Sequence, residues 1–317
     1  FVSCIIKLML CSSRPKYITV LLLIPLLLLA CGENTPSALP PTVTLPVASE
    51  TPSVPPTLTP TPEPTATPVP LAVLVNGEPL TLAEYQAELA RYQAAMAEFG
   101  TNLATEAEQV VLDELVNQVL LAQAARAQGF SVDDVALQVR LDGLVAQLGG
   151  GQALADWMTA HAYSEVDFRL ALRRSMEAAW MRDQIAAGVP ATAEQVHAQQ
   201  ILLYNSGDAN YVYGQLQSGS DFAELAAQID PQTHGDLGWF PRGYLTQPLL
   251  EEAAFSLEVG KYSPVIETPL GFHILLVIEK EAQHSLTPDA RLALQQIALQ
   301  NWLQAQRSQS TIEIMLP

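Results

Sequence analysis

Cysteine is almost absent from this chain, and none occurs beyond residue 31. Cys4, Cys11 and Cys31 are the three cysteines among 317 residues. A disulfide framework and a thiolate metal site are therefore excluded for the remaining 286 positions, 32–317. The five histidines show no metal-ligand spacing. The sequence also has no G-x-S-x-G, phosphate-binding or dinucleotide motif. We therefore expect no metal and no other cofactor.

Basic residues are scarce as well. Lysine and arginine number 15 against 33 acidic residues, a formal charge of −18. Lys7, Arg14 and Lys16 precede Cys31 in a segment that we expect to be removed, which would leave 12 basic residues against 33. Such a negative field disfavours nucleic acid and anionic lipid surfaces. We expect no nucleic-acid partner, and we expect a preference for basic or neutral unfolded chains.

One apolar run stands out near the start, and it is short. It covers 13 residues, Ile18–Ala30, whereas a membrane-spanning helix needs roughly 20. It follows two basic residues and fits the apolar core of a secretory signal. The run ends Leu28-Leu29-Ala30-Cys31-Gly32, which resembles the bacterial lipobox. We expect residues 1–30 to be a signal peptide and Cys31 to be lipidated, holding the chain on the outer side of a cell membrane. The alternative is an ordinary signal with an incidental cysteine.

Proline is concentrated in the segment that follows. Glu33–Pro70 contains 12 prolines and nine threonines with few charges. Proline removes backbone donors and favours polyproline II, so residues 31–70 are predicted to be a disordered, semi-rigid tether. At about 3.1 Å per residue the tether would extend roughly 100 Å. The alternatives are an O-glycosylated stalk or a proline-motif ligand.

Residues 71–189 are predicted to be a hairpin followed by helices. The apolar run Leu71–Val75 meets an Asn76-Gly77 turn. A capping-box pattern opens the first helix at Thr81. Ser131 and Ser164, each with an aspartate three residues later, open two others. The predicted helices cover 82–99, 105–128, 131–148, 153–161 and 164–187. Their apolar stripes must first serve burial, and the sequence does not reveal which positions stay exposed.

The most distinctive stretch runs from residue 235 to 273. It contains Gly235-Asp236-Leu237-Gly238-Trp239-Phe240, then Ala253-Ala254-Phe255, Ser263-Pro264-Val265 and Gly271-Phe272-His273-Ile274. Apolar spacing and glycine positions predict strand, helix, strand and strand. We expect these elements to wall an apolar trough that holds one polar side chain, His273.

These motifs resemble the parvulin family of peptidyl-prolyl isomerases over roughly residues 192–282. Residues 75–81 and the long helix after them resemble the chaperone domain of SurA- and PrsA-type foldases. The resemblance implies an α+β fold: a helical chaperone-like domain at 71–189 and a parvulin domain at 190–283. The latter is a four-stranded antiparallel sheet with surrounding helices. A C-terminal helix and strand, residues 284–317, would pack on the helical domain, with Ile312–Met315 paired near Leu71–Val75.

The resemblance also implies a reaction and its residues. Rotation about an X-Pro bond crosses a barrier of about 18–20 kcal/mol, and a dry apolar pocket favours the twisted amide over the planar one. No cofactor is needed. The implied catalytic residues are His273, Asp230, Thr268 and Gln200. The implied substrate-binding residues are Leu245, Leu249, Phe255, Trp239 and Phe240.

Some positions depart from the family pattern. Gln200 stands where the family has its first histidine, and Leu245 and Leu249 replace the usual methionine and phenylalanine of the proline clamp. Asp230 precedes a short loop, and its alternative interpretation is a turn residue before Pro231. The loop after the first strand, residues 204–208, lacks lysine and arginine, which argues against a phosphate requirement.

Two functions therefore remain open from the sequence. The first is a lipid-anchored extracytoplasmic isomerase and foldase acting on unfolded or partly folded exported polypeptides with X-Pro bonds. The alternative is a non-catalytic holdase whose parvulin unit only binds proline-containing chains. A transport-type solute-binding lipoprotein would need two α/β lobes, and the helix-rich first half argues against it.

Overall fold

A computed structural model describes residues 69–98 and 104–316. The predicted signal peptide, Cys31 and nearly all of the tether lie outside the described residues. Within them the chain forms nine helices and seven strands arranged in two antiparallel sheets. The predicted α+β class is confirmed. In the described part of the chain, no helix combines the length and apolarity that crossing a membrane requires.

The smaller sheet joins the two ends of the described chain. Its strands are β1 (Leu71–Val75), β2 (Glu78–Thr81) and β7 (Ile312–Ile314), in the order β2-β1-β7. The connection between β1 and β2 has two consecutive residues with positive φ, 52° and 82°, as a two-residue hairpin turn requires. β7 runs antiparallel to β1, with Val73 opposite Ile314. This is the strand pairing that the sequence predicts for residues 312–315.

Five helices follow the hairpin. They are α1 (Leu82–Glu98), α2 (Ala104–Ala127), α3 (Asp134–Leu148), α4 (Gly151–Ala160) and α5 (Glu165–Ala187). The predicted end of α1 at residues 99–100 lies outside the described residues.

The helix caps agree with the sequence at two of the three predicted positions. Thr81 Oγ1 accepts a hydrogen bond from the Glu84 backbone amide, and Ser164 caps α5. The prediction for α3 is wrong, because Asp133, two residues after Ser131, is the cap and accepts from the Ala136 amide at 2.7 Å. Asp133 has the extended backbone that an N-cap needs.

The C-terminal helix α9 (Pro288–Gln309) lies against the helical region. Trp302 and Leu303 pack on a buried cluster that includes Leu121 and Met181, from α2 and α5. Arg307 donates to Asn117 Oδ1 at 2.8 Å and pairs with Asp113. The last helix therefore extends the core formed by the first helices.

The larger sheet has the strand order β4-β3-β6-β5 and is antiparallel throughout. Its strands are β3 (Thr192–Leu203), β4 (Asp236–Pro241), β5 (Ile266–Thr268) and β6 (Gly271–Ser285). Helices α6 (Ser206–Gln217) and α7 (Phe222–Ile229) pack with Ile201 and Ile274. Helix α8 (Pro248–Ser256) packs with Val196, Ala198 and Leu275. Because side chains alternate along a strand, these two helix groups cover opposite faces.

Candidate active site

The buried histidine of the larger sheet is held by two polar neighbours from adjacent strands. His273 is 2% exposed and lies on the α8 face, two residues before Leu275. Its Nδ1 is 3.1 Å from Gln200 Oε1 on β3, and its Nε2 is 2.9 Å from Thr268 Oγ1 on β5. The sheet thus brings two of the predicted catalytic residues, Gln200 and Thr268, to the imidazole of a third, His273.

These contacts fix the tautomer of the neutral ring. An amide oxygen only accepts, so in this arrangement Nδ1 carries the proton and donates to Gln200. Nε2 then accepts from the Thr268 hydroxyl, which itself accepts from the Leu270 amide at 3.1 Å. Burial lowers the pKa of His273 below its usual 6.5. The imidazole is therefore neutral at neutral pH.

Asp230 is placed differently from these three residues. It follows α7, and its Oδ1 accepts from the backbone amides of Gln232 and Thr233 at 3.1 and 3.2 Å. Its other oxygen binds the Thr233 hydroxyl, and this hydrogen bond lowers the pKa of Asp230. Every hydrogen bond found for this carboxylate in the described structure lies within the loop, as in the turn interpretation.

The loop itself is fixed against the histidine network. The backbone amide of Gln200 donates a hydrogen bond to the backbone carbonyl of Gly235 at 2.7 Å. A Cβ at Gly235 would lie 1.9 Å from Gln200 O, and this glycine has φ of +70°. Only glycine fits such a close approach, so the turn before β4 fixes the backbone beside Gln200.

The predicted apolar wall is present in part. Phe240 and Phe255 meet edge to face at 6.1 Å in the α8-side core, and Leu245 is half-buried against that core. Leu249, at the start of α8, is 57% exposed. The wall therefore has a buried aromatic floor and one solvent-facing leucine.

Trp239 does not belong to this wall, which corrects its placement beside Phe240. It stacks on His284 with ring centroids 4.0 Å apart and lies near His197. The reason is strand alternation, since Trp239 and Phe240 are neighbours on β4 and point to opposite faces. His197 lies near Trp239 and does not share the face of Gln200.

Two residues that were not predicted from the sequence position the loop between β4 and α8. Glu251 accepts from the backbone amides of Gly243 and Leu245 at 2.7 and 3.2 Å. The Arg242 guanidinium lies 4.0 Å from the centre of the Phe255 ring. The loop that carries Leu245 is thus tied to α8 and to the aromatic floor. An acidic residue in the first turn of α8 is the sequence signal that could have identified Glu251.

Family models match two parts of the chain. A model described as a PPIC-type PPIase domain matches residues 204–279, and one described as a SurA-like N-terminal domain matches residues 69–148. Together these ranges include β4, β5 and most of β6 of the larger sheet, and the hairpin with its first three helices.

Curated relatives agree with both matches. The foldase protein PrsA of Halalkalibacterium halodurans is 39% identical over 92 residues, 27% of each chain. The foldase protein PrsA of Caldanaerobacter subterraneus is 28% identical over 235 residues, 65% of this chain and 72% of that protein. The chain thus spans about a quarter of the first relative's length.

A peptidylprolyl isomerase (PrsA) from Bacillus anthracis is similar to this chain among solved structures. It is 22% identical, and the match covers 62% of this chain and 96% of that chain with a TM-score of 0.41. The identity of the two domains rests on the family models and the curated relatives. The chain therefore contains a parvulin domain of the PPIC type and a SurA-like N-terminal domain.

Proposed function

We propose that this protein is an extracytoplasmic peptidyl-prolyl cis-trans isomerase and foldase that assists the folding of exported proteins. The observation that carries the proposal is the neutral, buried His273, fixed between Gln200 and Thr268 on the sheet face against which Phe255 packs. A proline ring would sit on the apolar floor, with the rotating amide beside this polar network.

The catalytic principle is the polarity of the pocket. Rotation out of the amide plane removes resonance and its charge separation, so an apolar environment stabilises the twisted state relative to the planar one. Phe255 and Leu245 would seat the ring, and the exposed Leu249 would cover it. His273 and Thr268 would orient the amide, with Gln200 holding the imidazole. Asp230 would act through the loop that it shapes.

The location and organisation are part of the proposal. Lipidated Cys31 would anchor the protein facing outward, and the proline-rich segment would hold the folded part away from the membrane. We propose the division into 71–189, 190–283 and 284–317, in which β7 pairs with β1 and α9 packs on the helical part. Clients would be unfolded or partly folded exported chains with X-Pro bonds.

A protease-free assay of cis-to-trans relaxation in a proline tetrapeptide tests the activity. We expect relaxation to accelerate with protein concentration and His273→Ala to remove most of the acceleration. Thermal unfolding of the variant serves as the control for folding. A folded wild-type protein that leaves the relaxation rate at its buffer value would refute the isomerase.

A non-catalytic holdase is the second candidate, and two observations favour it. Gln200 cannot ionise, and the clamp position Leu249 is 57% exposed instead of buried in the wall. A holdase would suppress aggregation of an unfolded client while leaving the tetrapeptide relaxation rate unchanged. Both assays on one preparation separate the two functions.

A further inference from the structure

A cavity of about 110 Å³ lies in the helical region, between α1, α2 and α5. This is several times the roughly 10–15 Å³ that one water needs on the same measure. Part of its lining is apolar and small, from Leu115 and the alanines at 87, 162 and 171. Such walls accept an unbranched aliphatic chain without clashes.

The charged part of the lining is unbalanced. Glu84, Glu88 and Asp167 line it together with Arg91, and Arg174 pairs with Glu84 at 2.6 Å. The Arg91 guanidinium is already engaged: it binds Glu88 Oε2, donates to His161 O at 2.8 Å and lies 3.9 Å from the centre of the Tyr163 ring. Three acidic residues are thus matched by two arginines, which leaves one negative charge in excess.

The carboxylate of Glu88 is buried, and its hydrogen-bonding capacity is only partly used. It is 7% exposed, and its Oε1 has no hydrogen-bond partner among the described residues. A buried carboxylate oxygen without a partner is strongly unfavourable. Burial, and then the adjacent Glu88 carboxylate, raises the pKa of Tyr163, which keeps that phenol neutral. A cationic group would therefore be favoured near Glu88.

We infer that this cavity binds the cationic side chain, lysine or arginine, of a polypeptide held by the helical region. The methylenes would lie along the alanines and Leu115, and the charged end would meet the unpaired Oε1 of Glu88. The inference rests on the proposed function, because it assumes that unfolded chains are clients. The excess of acidic residues in the whole chain would draw such clients in.

An organic cation suits the cavity better than a metal ion. In the part of the chain that the structure describes, no group of three or more histidine, cysteine or acidic side chains is arranged to hold a metal. Carboxylates combined with alanine walls match the amphipathic chemistry of a long basic side chain.

The test uses the full chain and two unstructured, proline-free peptides that differ only in one lysine replaced by norleucine. We expect the lysine peptide to bind about tenfold more tightly, because hydrogen bonds to a charged group are strong. The preference should shrink as salt is raised. Ala87→Leu fills the cavity and should abolish the preference. Ala90→Leu, on the exposed side of the same helix, should leave it unchanged.

Equal binding of the two peptides, absence of binding by both, or an unchanged preference in folded Ala87→Leu would overturn the inference. If Ala87→Leu does not fold, competition on wild type replaces it: N-acetyl-lysinamide should displace the lysine peptide and N-acetyl-norleucinamide should not. The proline tetrapeptide assay is run in parallel. If the wild-type protein shows no isomerase activity but prefers the lysine peptide, the proposed enzyme is refuted and this site stands.

Discussion

At the scale of single residues, the candidate site depends on a network without an ionised member. His273 donates to Gln200 and accepts from Thr268, and its pKa is lowered by burial. A histidine at position 200 could change its own protonation state, whereas glutamine offers a fixed acceptor. The network therefore keeps one orientation of the imidazole over the whole range in which His273 is neutral.

Thr268 provides the first prediction at this scale. Thr268→Val keeps the shape but removes the hydroxyl that serves His273 Nε2 and the Leu270 amide. We expect the free energy of unfolding to fall by about 1–3 kcal/mol, the cost of an unsatisfied buried group. Urea denaturation measures it. Thr268→Ser keeps the hydroxyl and should lose much less; equal losses in the two variants would contradict the role of this hydrogen bond.

The lowered pKa of His273 gives the second prediction. The unfolded chain takes up this proton near pH 6.5, whereas the folded chain takes it up only at lower pH. The unfolded state therefore binds more protons between these two values, and stability falls as the pH decreases through that window. Below the folded pKa the loss from His273 stops.

The free energy of unfolding, measured for the wild type and for His273→Gln from about pH 8 to pH 5, tests this pH dependence. We expect the variant to have a shallower decrease below pH 6.5. The half-buried His197 and His284 are present in both proteins, so the difference between the two curves reports on His273. Parallel curves would show that His273 does not supply this pH dependence.

At the scale of whole elements, local signals predict the beginnings and ends of helices well. Ser164 caps α5, and Gly149 ends α3 with a left-handed backbone. Strand ends are harder: the apolar pattern of β6 stops near Glu279, yet the strand continues to Ser285. That extension is polar and forms only because the first half of β3 pairs with it. Such a non-local contact leaves no periodic trace in the sequence.

The same limit applies to the candidate site. Gln200, Thr268 and His273 lie on three strands, and 73 residues separate the first from the last. Periodicity places His273 on an apolar strand but does not bring it next to Gln200; the family resemblance does. The error at Trp239 has the same origin, because a motif lists neighbours that strand alternation sends to opposite faces.

The loop between β4 and α8 carries the third prediction. In the wild type, each carboxylate oxygen of Glu251 accepts a hydrogen bond from one backbone amide. Glu251→Gln replaces one of these oxygens by an NH₂ group, which cannot accept. The loop should loosen, and kcat/KM for a proline tetrapeptide should fall about fivefold to tenfold, chiefly through KM, as one charged hydrogen bond is lost. Glu252→Gln is the matched control, since Glu252 is exposed on the same helix. Identical kinetics in both variants would exclude a positioning role for Glu251.

At the scale of the whole molecule, the chain closes on itself through the smaller sheet. β7 reaches β1 after more than 230 residues, and the Met315 amide donates to Ala72 O at 2.8 Å. The larger sheet is built from residues between these two strands. The helical core is therefore completed by the last part of the chain, whereas the His273 network forms without it.

This arrangement predicts that damage to β7 separates stability from catalysis. Ile312 packs on the core formed by β1, α1 and α2, whereas Ile314 is 59% exposed. Ile312→Ala should lower the free energy of unfolding by about 1–3 kcal/mol, as expected for lost apolar burial, and Ile314→Ala should lower it much less.

Because no strand of the larger sheet includes these residues, the tetrapeptide relaxation rate should be the same in both variants at temperatures where they are folded. Chemical denaturation and the isomerase assay on the same samples measure the two effects. A loss of isomerase rate in folded Ile312→Ala would mean that the candidate active site depends on the C-terminal strand after all.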